Sequence, residues 1–116
     1  MNDCIFCQIA EGELKADTVY QDNTVVVFKD IHPKKPIHWL AIPKKHITSI
    51  NDLEKGDIGL AGHLLQTVKK LAMKYGFADD GYRVIINTRA HGGQEVDHLH
   101  LHILAGEHVG RMVSTN

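Results

Sequence analysis

The segment His98-Leu99-His100-Leu101-His102-Ile103-Leu104 alternates imidazole and aliphatic side chains with a period of two. In a β-strand, residues i, i+2 and i+4 point to one face of the sheet. The pattern therefore predicts a strand from Val96 to Leu104. It places His98, His100 and His102 on one face and buries Leu99, Leu101 and Ile103 under the other. Such a strand needs an apolar layer for its leucines and leaves its histidines available for chemistry.

The rest of the chain supplies that layer. From Asp57 to Tyr75, the apolar residues Ile58, Ala61, Leu64, Leu65, Val68, Leu71, Ala72 and Tyr75 recur at helical spacing, and Gly76 stops the helix. Residues 3–10 suit a short helix capped by Asp3, with Gly12 beyond its end. Thr18–Gln21 and Thr24–Phe28 read as strands joined by a hairpin at Asp22-Asn23. Ile37–Ile42 is a third strand bracketed by Pro36 and Pro43, which have no N–H to give a ladder. Tyr82–Asn87 is a fourth, before the histidine strand. Five strands with one long and one short helix in this order predict an antiparallel α+β fold.

The 116 residues fit one compact domain, 1–116, with no linker or repeat. So small a domain buries limited surface alone, which favours dimerisation through the helix or a sheet edge. A formal net charge of −1 gives no basic footprint for nucleic acid or an anionic membrane. No apolar run is long enough to span a bilayer, and the N-terminus carries no signal-peptide pattern, so the expected location is the cytoplasm.

Nine histidines stand out in so short a chain. Three readings of the central trio compete: a polar sheet face, a tris-histidine metal site, and a catalytic set. Backbones four residues apart in a strand are separated by about 13 Å. An imidazole reaches a metal roughly 5–6 Å from its Cβ, so one ion cannot take all three, although an adjacent pair could share one. The catalytic reading, in which one histidine attacks and its neighbours orient it, gains from Asn87-Thr88-Arg89-Ala90-His91-Gly92-Gly93-Gln94. This is expected to be a polar loop whose glycines let backbone N–H groups approach a phosphate.

Taken with Phe28-Lys29-Asp30-Ile31 and Pro36-Ile37-His38-Trp39-Leu40-Ala41-Ile42-Pro43-Lys44-Lys45-His46, these motifs make the chain resemble the histidine triad family. The likeness runs from about Cys4 to Leu104, to the small nucleotide-binding branch of phosphoramidate hydrolases. It implies a homodimer whose two five-stranded sheets join into one. It also implies cleavage of purine nucleoside phosphoramidates to the nucleoside monophosphate, with no cofactor needed for catalysis. His100 would be the nucleophile, forming a nucleotidyl-histidine intermediate. His102 would be a phosphate and geometry partner, and His38 a buried support.

The resemblance implies that Asp30 takes the ribose hydroxyls. Ile5, Phe6, Ile9, Phe28 and Ile31, core residues by default, would contribute to an apolar slot for the base. Asn87 would touch ribose or phosphate, and Gly93, Gln94 and Glu95 would lie on the phosphate side. An ionised Glu95 would repel phosphate and a protonated one could act as general acid, which leaves the leaving-group proton donor open. Cys4, Cys7, His46 and His98 resemble the ligands of a structural zinc found in a subset of the family. Two alternatives remain: a nucleotide-binding regulatory protein with vestigial catalysis, and a dinucleoside polyphosphate hydrolase.

Overall fold

The computed structural model describes residues 3–112. Residues 1–2 and 113–116, the ends of the span expected as one domain and of the C-terminal tail, lie outside the described residues. The elements are α1 (Ile5–Ala10), β1 (Thr18–Gln21), β2 (Val25–Lys29), β3 (Ile37–Pro43), α2 (Ile58–Lys74), β4 (Arg83–Ile85), a single turn α3 (Arg89–Gly92) and β5 (Leu101–Ala105). All five strands pair antiparallel in the order β1-β2-β3-β5-β4. The hairpin is held by Asp22, whose carboxylate accepts the N–H groups of Thr24 and Val25.

Side-chain alternation divides the core in two. Val25, Val27, Trp39, Ala41, Leu99, Leu101 and Ile103 pack with Leu64, Val68, Leu71 and Ala72 of α2. Val26, Phe28, Leu40 and Ile42 face the other way and pack with Phe6 of α1. The middle of the sheet is thus covered on both faces, and its α1 side carries the functional groups.

Several boundaries differ from the sequence expectation. α1 is capped by Cys4 rather than Asp3, its Sγ accepting the N–H of Cys7 at 3.3 Å. β4 is shorter than Tyr82–Asn87, and the expected Asn87–Gln94 loop contains α3. Ile58 and Leu65 on α2 and Tyr75 just after it are exposed although they continue the apolar stripe, while Thr67 is buried. Thr67 satisfies its hydroxyl on the carbonyl of His63 at 2.7 Å, which is how a polar residue enters the core.

The largest difference is at the histidines. β5 begins at Leu101, so Val96–His100 is not strand. The last β3–β5 pair is Ala41 with Leu101. In that register Pro43 would stand opposite Leu99, and proline has no N–H to continue the ladder. Leu99 instead donates its N–H to the carbonyl of Ile47 at 2.6 Å. The alternation of sides survives: Leu99 stays in the α2-side core, while His98 and His100 contact Phe6.

At the C-terminal end of β5, Gly106 has φ +94°, and a Cβ there would lie 2.8 Å from Cβ of Pro36. Gly106→Ala should therefore cost about 2 kcal/mol from strain and overlap. Gly12→Ala, with φ +80° but open space around it, should pay only the conformational cost of about 1 kcal/mol. Urea denaturation of both variants checks the order; equal losses would remove the Pro36 contact as the cause.

Candidate functional site

His38 on β3 and His102 on β5 both project to the α1 side. The register sets His38 opposite Leu104 and Leu40 opposite His102, so the two imidazoles are diagonal neighbours. Their Nε2 and Nδ1 atoms approach to 3.0 Å. Asp30, just after β2, brings Oδ2 to 3.4 Å from Nε2 of His38, and its Oδ1 accepts the N–H of His32 at 2.8 Å. On the other edge of the His38 ring, Nδ1 accepts the backbone N–H of Lys34 at 3.0 Å. These residues border a cleft of about 530 Å³ that Phe6, Asn87, Gly93, Glu95 and His100 also line.

His100 is buried, and its Nδ1–H donates to the carbonyl of His98 at 2.7 Å. A carbonyl can only accept, so the neutral ring carries its proton on Nδ1 and keeps a lone pair on Nε2. That is the form an attacking imidazole needs. Phe6 stands edge-on to the ring at 5.1 Å, and the His102 ring lies 5.0 Å away. Burial pushes both His38 and His102 below the ordinary histidine value, against the raising influence of Asp30. Both are therefore neutral at physiological pH.

A second cluster lies beneath the first. Nδ1 of His98 is 3.3 Å from Sγ of Cys4 and 3.4 Å from Sγ of Cys7, and Nδ1 of His46 is 3.2 Å from Sγ of Cys7. All four donor atoms lie within 4.8 Å of one another. His98 is fully buried and donates Nε2–H to the carbonyl of Pro43 at 2.7 Å, which leaves Nδ1 as the ligating nitrogen. Two thiols and two imidazoles so gathered fit a closed tetrahedral ion site. His98 and His102 thus belong to different clusters.

The sequence-predicted residues divide accordingly. Phe6, Asp30, His38, Asn87, Gly93, Glu95, His100 and His102 come together at the cleft. Gln94 does not line it: its Nε2 donates to the carbonyls of Thr48 and Val96 and its Oε1 accepts the N–H of Arg89, which fixes the loop. Ile5, Ile9 and Phe28 are also outside the lining; Phe28 is buried edge-on against Phe6 at 5.6 Å. Ile5 is 47% exposed and Ile31 86% exposed, so neither is a core residue. Their positions on a short helix and in a turn leave no second layer to cover them. Leu40 and Leu104 line the cleft without having been singled out. Strand alternation with His38 and His102 is the signal that would have found them. His32 and Lys34 were also missed, being loop residues without a periodic pattern.

A family profile described as "Scavenger mRNA decapping enzyme C-term binding" matches residues 3–116. The chain is 43% identical over 110 residues to the purine nucleoside phosphoramidase of Escherichia coli strain K12, covering 95% of this chain and 92% of that one. Among solved structures, a histidine triad protein from Clostridium difficile superposes with a TM-score of 0.93 at 43% identity, covering 96% of both chains. A HIT family hydrolase from Legionella pneumophila Philadelphia 1 gives a TM-score of 0.88 at 47% identity, covering 90% of this chain and 94% of that one.

Because burial lowers the affinity of His38 and His102 for protons, the unfolded chain takes up protons near the ordinary value of 6.5 before the folded one does. Stability is therefore full above that pH and falls as the pH drops through and below it. Melting curves across this range should show the fall, and a His38→Gln/His102→Gln double variant should show a shallower one. An unchanged slope in the double variant would assign the effect elsewhere.

Proposed function

The chain belongs to the histidine triad family, and on that footing we propose that it hydrolyses purine nucleoside phosphoramidates through attack by His100. The observation that carries the proposal is the Nδ1–H bond from His100 to the His98 carbonyl, which readies Nε2 beside the cleft. In the first step a bond forms from Nε2 to the α-phosphorus while the phosphorus–nitrogen bond breaks and the amine leaves with a proton drawn from solvent water, His100 keeping its own on Nδ1. Water then cleaves the nucleotidyl-histidine, releasing the nucleoside monophosphate and restoring His100. His102 faces the phosphoryl group, and His38 supports it.

In this reading Asp30 binds the ribose hydroxyls with the carboxylate it presents to the cleft. Phe6, backed edge-on by the buried Phe28, forms the apolar side toward the base, while Asn87, Gly93 and Glu95 form the phosphate side, their loop braced by Gln94. The apolar lining residues Phe6, Leu40, Ile85, Val96 and Leu104 support a base slot that discriminates weakly. The ligands of the chain are purine nucleoside monophosphates and their phosphoramidates.

Cys4, Cys7, His46 and His98 are the residues that would hold a zinc ion, which when bound supplies a rigid crosslink and no catalytic chemistry. The chain's own part is to fix His98, whose carbonyl orients His100. Association as a homodimer through a sheet edge or the helix is supported by the edge strands β1 and β4 and by exposed Ile58, Leu65 and Met73 on α2. Cys-x-x-Cys thiols set against imidazoles suit a reducing compartment, and the proposed location is the cytoplasm.

His100→Ala should lower release of AMP from an adenosine phosphoramidate by at least about 10³-fold. Turnover equal to wild type would overturn the nucleophile assignment, and an inactive wild type would favour a binding protein. Faster cleavage of a diadenosine polyphosphate run alongside would favour the dinucleoside branch.

Elemental analysis of protein prepared without chelator should find zinc, and Cys7→Ser should lose it. The variant should melt lower, by roughly 4–8 °C for each kcal/mol lost. Zinc-free wild-type protein would remove the ion from this account.

A further inference from the structure

We infer that the backbone N–H of Lys34 sets the proton pattern of the site, acting through His38 to make His102 an Nε2–H donor toward the cleft. An amide N–H can only donate, so Nδ1 of His38, at 3.0 Å, presents its lone pair. A neutral imidazole has one proton, which for His38 then sits on Nε2. That N–H faces Nδ1 of His102 at 3.0 Å and Oδ2 of Asp30 at 3.4 Å. Two N–H groups cannot face each other at 3.0 Å, so Nδ1 of His102 is the acceptor and its proton lies on Nε2. His102 is half-buried and lines the cleft beside His100. The result is a neutral donor held in place before any substrate arrives.

The same chain of bonds decides what Asp30, His38 and His102 do together. Their donor atoms lie within 4.8 Å of one another, in the style of a two-histidine, one-carboxylate metal site. Yet the Lys34 N–H leaves Nε2 of His38 protonated, with no lone pair for an ion. The cluster orients protons rather than binding metal. Asp30 is the second acceptor on Nε2–H, and its own Oδ1 is held by the His32 N–H.

The loop that carries Lys34 is anchored at its far end. Lys35 pairs with Glu107 at 3.7 Å and donates to the His108 carbonyl at 3.4 Å, and Pro36 abuts Gly106. Lys34 is therefore a positioning residue that acts through its backbone. Without its N–H, His38 can move its proton to Nδ1 and His102 can reverse to an Nδ1–H form. A lone pair would then face the phosphoryl oxygens. On the phosphoramidase reading, on which the identity of the ligand rests, this removes a preorganised donor. Losing one such donor typically costs about 10²–10³ in kcat.

Histidine-selective nitrogen-15 NMR of the full chain, above the pH range in which histidines titrate, reads the tautomers without any assay. Wild type should show His38 and His102 both as Nε2–H. Lys34→Pro, which deletes the N–H, should lose this form at both rings, while Lys34→Ala should retain it. With an adenosine phosphoramidate, kcat of Lys34→Pro should fall at least about tenfold below that of Lys34→Ala, with a smaller change in KM. An Nδ1–H form of His102 in the wild type would overturn the inference, as would unaltered tautomers in Lys34→Pro. If Lys34→Pro fails to fold, Asp30→Asn, which removes the competing carboxylate and leaves the Lys34 N–H, decides: both rings should remain Nε2–H, and loss of that form would overturn the inference. A wild type with the expected tautomers but no phosphoramidase activity would sink the proposed function and leave the proton pattern standing.

Discussion

The bond from His98 Nε2–H to the Pro43 carbonyl is the contact on which both clusters depend. Pro43 ends the β3–β5 ladder because it has no N–H, and its unused carbonyl becomes the acceptor for a fully buried imidazole. That bond turns Nδ1 of His98 toward Cys4 and Cys7. It also fixes the backbone at His98, whose carbonyl in turn accepts the Nδ1–H of His100 at 2.7 Å. One residue thus belongs to the thiol cluster through its side chain and to the cleft through its main chain. A buried polar group without a partner costs roughly 1–3 kcal/mol, so loss of the Pro43 acceptor would strain both sites together.

Neutrality is the second constraint. The α1 side of the sheet gathers His38, His98, His100 and His102 into a small volume. Burial holds His38, His98 and His102 below the ordinary histidine value, which avoids mutual charge repulsion. Neutral imidazoles must each decide which nitrogen carries the proton, and here fixed backbone groups decide it. The carbonyl of His98 orders His100, and the carbonyl of Pro43 orders His98. The N–H of Lys34 orders His38. Among the described residues no buried side-chain nitrogen or oxygen lacks a hydrogen-bond partner. So dense a polar set is tolerable in a sheet face on those terms.

Much of this was legible in the chain. Apolar periodicity located α2 to within a residue at each end, because a 17-residue stripe averages out local exceptions. Alternation at β5 assigned the faces of its histidines and leucines, whereas β2 and β3 are continuous apolar runs buried on both faces and carry no such signal. Alternation could not locate the start of β5, since His98 and Leu99 fit the period while their backbone leaves the sheet. Nor did it show that Ile5 and Ile31 are exposed, because hydrophobicity does not reveal whether a covering layer exists. Gln94 was legible as a loop polar residue but not as the brace between Thr48 and Val96, since those partners are distant in sequence or set by the turn.

The sequence by itself determined that His98, His100 and His102 share one side, opposite Leu99, Leu101 and Ile103. Side-chain direction follows backbone periodicity even where the ladder has ended. That one ion does not gather all three was inferred from strand spacing, which does not extend to His98; the structure instead sets His98 and His102 in separate clusters. Only the tertiary structure decided which cluster each of the three joins. Cys4, Cys7 and His46 come from segments remote from His98, and Lys34, Asp30 and His38 come from beyond the histidine strand. Which nitrogen of an imidazole holds the proton depends on the groups that meet it in space, and no spacing along the chain encodes that.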